Sequence, residues 1–391
     1  MTLALPLHHP SSEALLLAEG FKLDRQTVAR LRGINVPAVW VHFPGAELIR
    51  QHISPVLLHH QHKLVGVAAE LFEQRHREAF AQLDYTRYIH ALRDLIEALV
   101  ADPAAANYIV EMGGAWDDDL RHASEVSFLS LLMGLKLEGY LIEQRRRLKP
   151  LHARSVVGLG LGGLLHDIGM TQIDPETRST HAVINDANDR RWQLHVERGW
   201  KLVRGLSAPV AVGIVLHHHQ HFDGSGFPKH LDESGRAVGL KGEEIHVHAR
   251  IVCAADHFDR LRCEPSGRLQ PRVRVLRQML FGPCRGRFDP VVLRALTQIV
   301  PAYSPGSMVT LSIGRDAIVT NWHPDDPCRP VIRVMRGRVD QPESIELSEP
   351  IDLREQPAVH IVGCDGHDVT QDNFALSCEL RGPDRSDAAA A

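Results

Sequence analysis

His166-Asp167 places an imidazole beside a carboxylate at the end of an apolar run, with Leu164-Leu165 before the pair and Ile168-Gly169 after it. Burying either group without a partner costs several kcal/mol, so something must satisfy both. A shared metal would do so: the histidine binds one ion, and the two oxygens of Asp167 can bridge two. The dipeptide alone is weak evidence. His367-Asp368 repeats it in a polar, turn-rich stretch, where it carries no meaning.

The surroundings of His166-Asp167 add the weight. Asp118 and His122 lie four apart at the start of a helical pattern and so share one face. His195 falls in a second helical segment, Trp192 to Val203. The run Leu216-His217-His218-His219-Gln220-His221-Phe222-Asp223-Gly224-Ser225-Gly226-Phe227-Pro228 follows, and Asp256 sits in the apolar helical stretch Ala249 to Asp259. Imidazoles and carboxylates without thiolates suit iron or manganese first, with zinc also compatible. Elsewhere similar letters carry no chemistry: His59-His60-Gln61-His62 reads as the surface of a long helix, and His8-His9 as a terminus.

The elements that must position these groups are mostly helices. The pattern predicts a helix over Asp24 to Arg32 and a strand-like run over Ala38 to Phe43, together a small α+β unit. From about Ser54 to Gly113, apolar residues recur at three- and four-residue spacing, as in Leu92-Leu95-Ile96-Leu99, which predicts long helices. Val156 to Ile168 is apolar almost all round and predicts a buried central helix. After Pro301, short β-branched runs separated by turn residues predict strands. The expected architecture is mainly α: a small α+β unit over 1–53, a helical connector over 54–114, a helical metallohydrolase domain over 115–303, a small β domain over 304–380 and a disordered tail over 381–391.

In the order and kind of its motifs the segment 115–300 resembles the HD-GYP branch of the HD phosphohydrolase superfamily, helical metalloproteins many of which hydrolyse cyclic di-GMP. The late Arg287-Phe288-Asp289-Pro290 belongs to the match. The resemblance implies metal ligation by His122, His166, Asp167, His195 and Asp256. Counting back from Asp223-Gly224 selects His218 and His219 for the double histidine; a register shifted by one would use His217. Asp118 falls where some members place a ligand for a third metal. Gly226-Phe227-Pro228 stands at the name-giving Gly-Tyr-Pro, so Asp223, Gly224, Gly226, Phe227 and Pro228 are expected at the substrate.

Departures fall on the phosphate-gripping positions. The lysine of HDIGK is Met170, the glutamate after the double histidine is Gln220, and the Arg-Pro-Tyr motif is replaced by Cys263-Glu264-Pro265-Ser266. Losing one charge contact to a phosphate costs on the order of 10²–10³ in rate. Arg250, Arg260, Lys229 and Lys241 are the basic residues that could compensate, with Arg250 expected at the substrate.

Composition bounds the rest. The net charge of −4 over 391 residues argues against the broad basic face of a nucleic-acid-binding protein, and no DNA partner is expected. Arg145-Arg146-Arg147-Leu148-Lys149 reads as a solvated helix end. Six cysteines without a CxxC pair fit a reducing compartment. No apolar stretch approaches about 18 residues, so no membrane span is expected and a cytoplasmic location is. The expected function is a phosphodiesterase for cyclic di-GMP or a related cyclic dinucleotide. Two or three divalent ions would share Asp167 and hold a bridging hydroxide for in-line attack, giving a linear dinucleotide first. His166 and Asp167 are the catalytic pair in this reading, and no residue stands out as general acid. Two rivals remain: a metal-bearing nucleotide sensor of little or no activity, and a phosphohydrolase for another nucleotide. A homodimer would form through the connector helices.

Overall fold

In a computed structural model, the structure describes residues 1–8, 14–34, 36, 39–43, 54–73, 85–102, 118–178, 189–263, 269–337 and 345–376. The His9 position, the end of the 54–113 segment and the tail expected to be disordered lie outside the described residues.

Twelve α-helices are found among them: α1 Arg25–Gly33, α2 Pro55–Glu73, α3 Thr86–Ala101, α4 Asp118–Lys136, α5 Glu138–Gln144, α6 Pro150–Ala153, α7 Val157–Leu165, α8 Arg190–Val203, α9 Pro209–His217, α10 Val247–Arg262, α11 Arg272–Phe281 and α12 Pro290–Ile299. Their starts follow local chemistry. Asp24 accepts a hydrogen bond from the Thr27 amide at α1, Asp189 from the Arg191 amide at α8, and Asp289 from the Val291 amide at α12, where Pro290 takes the first helical position.

Helix α7 is the centre of the bundle. Its sequence, Val-Gly-Leu-Gly-Leu-Gly-Gly-Leu-Leu, is buried from Leu159 onward. The glycines set how close its neighbours come. A methyl on Gly162 would lie 2.3 Å from Ile214 on α9, and one on Gly163 would lie 2.8 Å from the Ser127 Cα on α4. Both flanking helices therefore ride directly on the α7 backbone, which carries their histidines to its C-terminal end. The helix predicted to reach Ile168 stops at Leu165; a 3-10 turn, Ile168–Gln172, takes over. The apolar stripe of α3 (Tyr88, Ala91, Leu92, Leu95, Leu99) is buried within the chain, packed on α2 and α7.

The strands are β1 Leu7–His8, β2 Leu15–Leu17, β3 His230–Leu231, β4 Ala237–Val238, β5 Met308–Leu311, β6 Asp316–Asn321, β7 Val331–Arg336, β8 Glu346–Leu347, β9 Ile351–Asp352, β10 Ile361–Cys364 and β11 His367–Asp368. The last seven form one antiparallel sheet in the order β11-β10-β5-β6-β7-β8, with β9 also paired to β7. In the strand-like run expected over Ala38 to Phe43, whose first residue lies outside the described residues, Val41 forms an isolated antiparallel bridge with Leu3. Trp40 and Phe43 pack on Ile318, Met335 and Ile345, while the Trp40 carbonyl accepts from the Ala4 amide and the His42 amide donates to the Thr2 carbonyl.

One apolar interior runs from the bundle into the sheet, holding Leu164, Leu276, Leu296 and Tyr303 together with Val309, Leu311, Val319 and Ile361. Arg274 on α11 ties the two further, donating to Asp372 at 2.9 Å and to the Asp368 carbonyl at 2.5 Å. Cys253, Cys263, Cys284, Cys328 and Cys364 are free thiols. No helix among the described residues is long and apolar enough to cross a membrane.

Candidate metal centre

Five helices converge on one point. His122 comes from the first turns of α4, His166 and Asp167 from the junction of α7 with the 3-10 turn, and His195 from α8. His218 and His219 follow α9, and Asp256 comes from α10. Asp167, His195, His218 and His219 form one group whose donor atoms lie within 4.8 Å of one another, and His122, His166, Asp167 and Asp256 form a second. Asp167 belongs to both. Its Oδ1 is 3.3 Å from His195 Nε2 and 3.4 Å from His218 Nε2, while its Oδ2 is 3.8 Å from His122 Nε2 and 3.7 Å from His166 Nε2. Asp256 Oδ1 completes the second group, 3.1 Å from His122 Nε2 and 3.6 Å from His166 Nε2.

The outer nitrogens of four rings are tied down. His166 Nδ1 donates to the Gly163 carbonyl and His195 Nδ1 to the Trp192 carbonyl, each at 2.7 Å. His218 Nδ1 donates to the Ile214 and Val215 carbonyls, and His122 Nδ1 donates to Asp259 Oδ2 at 2.6 Å. Carbonyls and carboxylates only accept, so a proton sits on each Nδ1, and a ring without a second proton turns its Nε2 lone pair inward. His122 and His166 Nε2 then meet at 3.2 Å, and His195 and His218 Nε2 at 3.4 Å. Two lone pairs so placed repel unless a metal ion or, at His122, a second proton lies between them. Asp167 Oδ1, Asp256 Oδ2 and His219 Nε2 are also buried without a hydrogen-bond partner. This donor set fits divalent metal ions: imidazoles and carboxylates, already dehydrated and already oriented.

The electrostatics agree. Burial alone would raise the Asp167 and Asp256 carboxyls, but the Arg260 guanidinium and the surrounding imidazoles hold both well below the usual carboxylate range. Both therefore remain anionic. Burial, then the charge of His218, drives His219 well below the ordinary histidine value, so that ring is neutral. Burial and Arg260 lower His122, yet its hydrogen bonds to Asp256 and Asp259 prevail and raise it to about 9. Without a metal, a proton on His122 and the Arg260 guanidinium are the positive charges facing these carboxylates.

The alternative register is not taken. His217 lies outside both groups, and His221 turns away to bond Ser225 Oγ at 2.8 Å. Asp118 begins α4, four residues before His122, but its side chain lies outside the described residues; the adjacent Asp119 pairs with Arg178 at 2.7 Å.

Several residues expected at the substrate are placed elsewhere. Arg250 is 3% exposed and donates to Asp289 Oδ2 and Gln144 Oε1 at 2.5 Å each, to Tyr140 Oη at 2.8 Å and to the Ile245 carbonyl at 2.9 Å. Six residues before Asp256, at about 100° per residue, it projects from a different face of α10. Gly226 and Phe227 are buried. A methyl on Gly226 would lie 2.3 Å from the His219 carbonyl, and the Phe227 ring stacks on His219 with centroids 4.8 Å apart at 22°. The Pro228 carbonyl, after a cis Phe227–Pro228 bond, accepts from Gln220 Nε2. These three residues buttress the double histidine and the Gln220 that follows it. Asp223 remains exposed, accepting from the Ser225 amide at 2.9 Å, and Gly224 follows with a φ of +85°.

Two contributors, Trp192 and Asp259, are given no role in the sequence analysis, and a third, Arg260, is named there without its role. Trp192 stands 4.7 Å from the His195 ring and 4.9 Å from the His219 ring. Asp259 orients His122 and is itself held by Arg121 at 3.1 Å. Arg260, named among four basic residues, reaches both carboxylates. Asp259 and Arg260 lie three and four residues after Asp256, spacings that put all three on one helix face and could have found them.

Residues 141–290 match the family model described as "HD domain". That span contains His166, Asp167, His195, His218, His219 and Asp256 and leaves His122 outside. Over 353 residues the chain is 28% identical to the cyclic di-GMP phosphodiesterase PA4108 of Pseudomonas aeruginosa, covering 83% of this chain and 81% of that protein. It is 30% identical over 154 residues to a probable cyclic di-GMP phosphodiesterase of Vibrio cholerae, covering 37% of this chain and 30% of that protein. A 3'3'-cGAMP-specific phosphodiesterase 3 of the same organism is 28% identical over 109 residues, 28% of this chain and 22% of that protein.

Proposed function

Because this chain belongs to the HD-GYP branch of the HD phosphohydrolase superfamily, we propose that it is a metal-dependent phosphodiesterase that opens cyclic di-GMP or a related cyclic dinucleotide. The observation that carries the reading is Asp167: one carboxylate with an oxygen turned to each of two histidine groups, the arrangement two ions sharing a ligand require. Iron or manganese suits this donor set first and zinc second, and Asp118 is our candidate ligand for a third ion. Bound there, divalent ions would supply an activated water and neutralise charge on the phosphodiester.

The chain's own residues do the rest. His122, His166, His195 and His218, each fixed through Nδ1, keep their Nε2 atoms aimed in two pairs at the two oxygens of Asp167, so little reorganisation remains. Trp192 and Phe227 wall off the His195–His219 side with apolar surface. Met170 packs on that same wall, so the position expected to grip phosphate is apolar and partly buried. That contact favours a second reading, a receptor that binds the nucleotide without turnover. We place the chemistry within residues 115–303.

The test is direct. Protein purified anaerobically with its metal quantified is incubated with cyclic di-GMP, and the linear dinucleotide is followed by chromatography. Turnover abolished by Asp167→Ala is the expected result. Tight binding without product would make the chain a receptor, and neither binding nor turnover in a metal-loaded sample would overturn the cyclic-dinucleotide reading.

A further inference from the structure

The two halves of the centre differ in one respect: only one already holds a cation. Arg260 Nε donates to Asp256 Oδ1 at 2.6 Å, and an η nitrogen of the same guanidinium donates to Asp167 Oδ2. These are the carboxylate oxygens that face His122 and His166. The other oxygen of Asp167, turned toward His195 and His218, has no hydrogen-bond donor, and neither has His219 Nε2. One half is thus closed by a guanidinium, while the other is a set of bare, buried donor atoms.

A divalent ion sits roughly 2.0–2.2 Å from a carboxylate oxygen. A guanidinium nitrogen hydrogen-bonded to the same oxygens occupies the same space, and two cations so close repel strongly at low dielectric. Arginine cannot yield by losing its proton, because its charge is permanent. It can yield only by moving, and its side chain, 24% exposed, has a route to solvent.

We propose that Arg260 is the resident cation of the His122/His166/Asp167/Asp256 half, so that the centre loads in a fixed order. The half built from Asp167, His195, His218 and His219 fills first. The second ion binds only as the guanidinium leaves both carboxylates, and its affinity is lowered by the two charge-assisted hydrogen bonds it must replace. This rests on the two-ion reading of the centre but not on the identity of the substrate. Arg260 acts here as a positioning residue that sets metal occupancy.

The experiment uses the full chain, stripped of metal, titrated with manganese(II) by calorimetry and by the low-temperature EPR signal of coupled ions. Wild type should take up one ion tightly and a second at least tenfold more weakly, the coupled signal appearing only with the second. In Arg260→Gln the second dissociation constant should tighten by roughly tenfold to a hundredfold, the scale of one charged hydrogen bond. Arg260→Lys, a point charge unable to bridge both carboxylates, should fall between. The metal-free Arg260→Gln protein should melt lower than wild type and recover on adding manganese, which a merely structural arginine would not do. Two equal affinities in wild type, or an unchanged second constant in Arg260→Gln, overturns the loading order. Absence of any uptake overturns the centre itself along with it. Ordered loading without hydrolysis of cyclic di-GMP leaves the order standing and removes the substrate reading alone.

Discussion

Replacing Gly169 by alanine tests how tightly the backbone itself builds this centre. Gly169 lies two residues after Asp167 in the 3-10 turn, where it crosses α8. An added methyl would lie 1.9 Å from the His195 carbonyl oxygen and 2.5 Å from the Gly199 amide nitrogen. Carbon–oxygen contacts settle near 3.3–3.6 Å, so the turn and α8 must part by about 1.5 Å. Both obstacles are backbone, and no side-chain rotation relieves them. His195 moves with its helix, because its Nδ1 is bonded to the Trp192 carbonyl three residues earlier. Its Nε2 would retreat from Asp167 Oδ1, now 3.3 Å away, by an amount several times the ~0.2 Å tolerance of a metal–ligand bond. Overpacking a core costs about 1–3 kcal/mol, and this site belongs at the upper end. The expectation for Gly169→Ala is a melting temperature lower by on the order of 5–10 °C and loss of the ion held by the His195 half. Thermal melting with and without manganese, plus metal analysis of the anaerobic protein, reads both effects. Gly66→Ala on α2 is the control: its methyl meets nothing within 4 Å, so it should be neutral or stabilising by up to about 1 kcal/mol. A Gly169→Ala protein that melts within about 1 °C of wild type and keeps its full metal complement would refute the reasoning.

Two further predictions separate scaffold from chemistry. Arg250→Met should destabilise the fold by about 3–5 kcal/mol in denaturant titrations, because it strands the buried Asp289 carboxylate, while manganese stoichiometry stays unchanged. A raised KM for the dinucleotide with unchanged stability would mean that Arg250 contacts substrate after all. His221 is 5% exposed, and burial, then His257 and Arg287, push its pKa down to about 3. A folded value below the unfolded 6.5 means that the neutral ring stabilises the fold above about pH 6.5, a contribution lost as pH falls toward 3. His221→Asn should therefore flatten the acid branch of the stability curve, by up to roughly 2–3 kcal/mol between pH 6.5 and 4.5. Parallel curves for mutant and wild type would show that His221 does not titrate in this way.

Much of the candidate centre was legible because groups able to hold a metal are restricted in type and their motifs are fixed in order. His122, His166, Asp167, His195, His218, His219 and Asp256 could be read from the chain, and the structure brings those seven together. The main helices were legible from their apolar period, with ends displaced by a few residues at the centre, where α7 gives way to the tighter turn that carries Gly169. Orientation was harder to read. Arg250 and Arg260 are equivalent as letters, yet ten residues along one helix return a side chain to a different face, committing the first to Asp289 and the second to Asp167 and Asp256. The setting of Phe227 was hard to read for a related reason. A motif position marks where the chain passes, and whether the ring faces the cavity or a neighbouring histidine is decided by packing that depends on Trp192, distant in sequence.

The apolar interior shared by helices and sheet bears on how this chain can be dissected. A cut after Tyr303 would leave Leu276, Leu296 and Tyr303 facing water on one fragment and Val309, Leu311, Val319 and Ile361 on the other. The Arg274–Asp372 and Tyr303–Asn373 links would be severed at the same time. Neither fragment would have a finished surface, and each would aggregate when expressed alone. Heat would melt both layers in one transition, so damage to the sheet at a distance from the histidines would be felt as loss of bound metal.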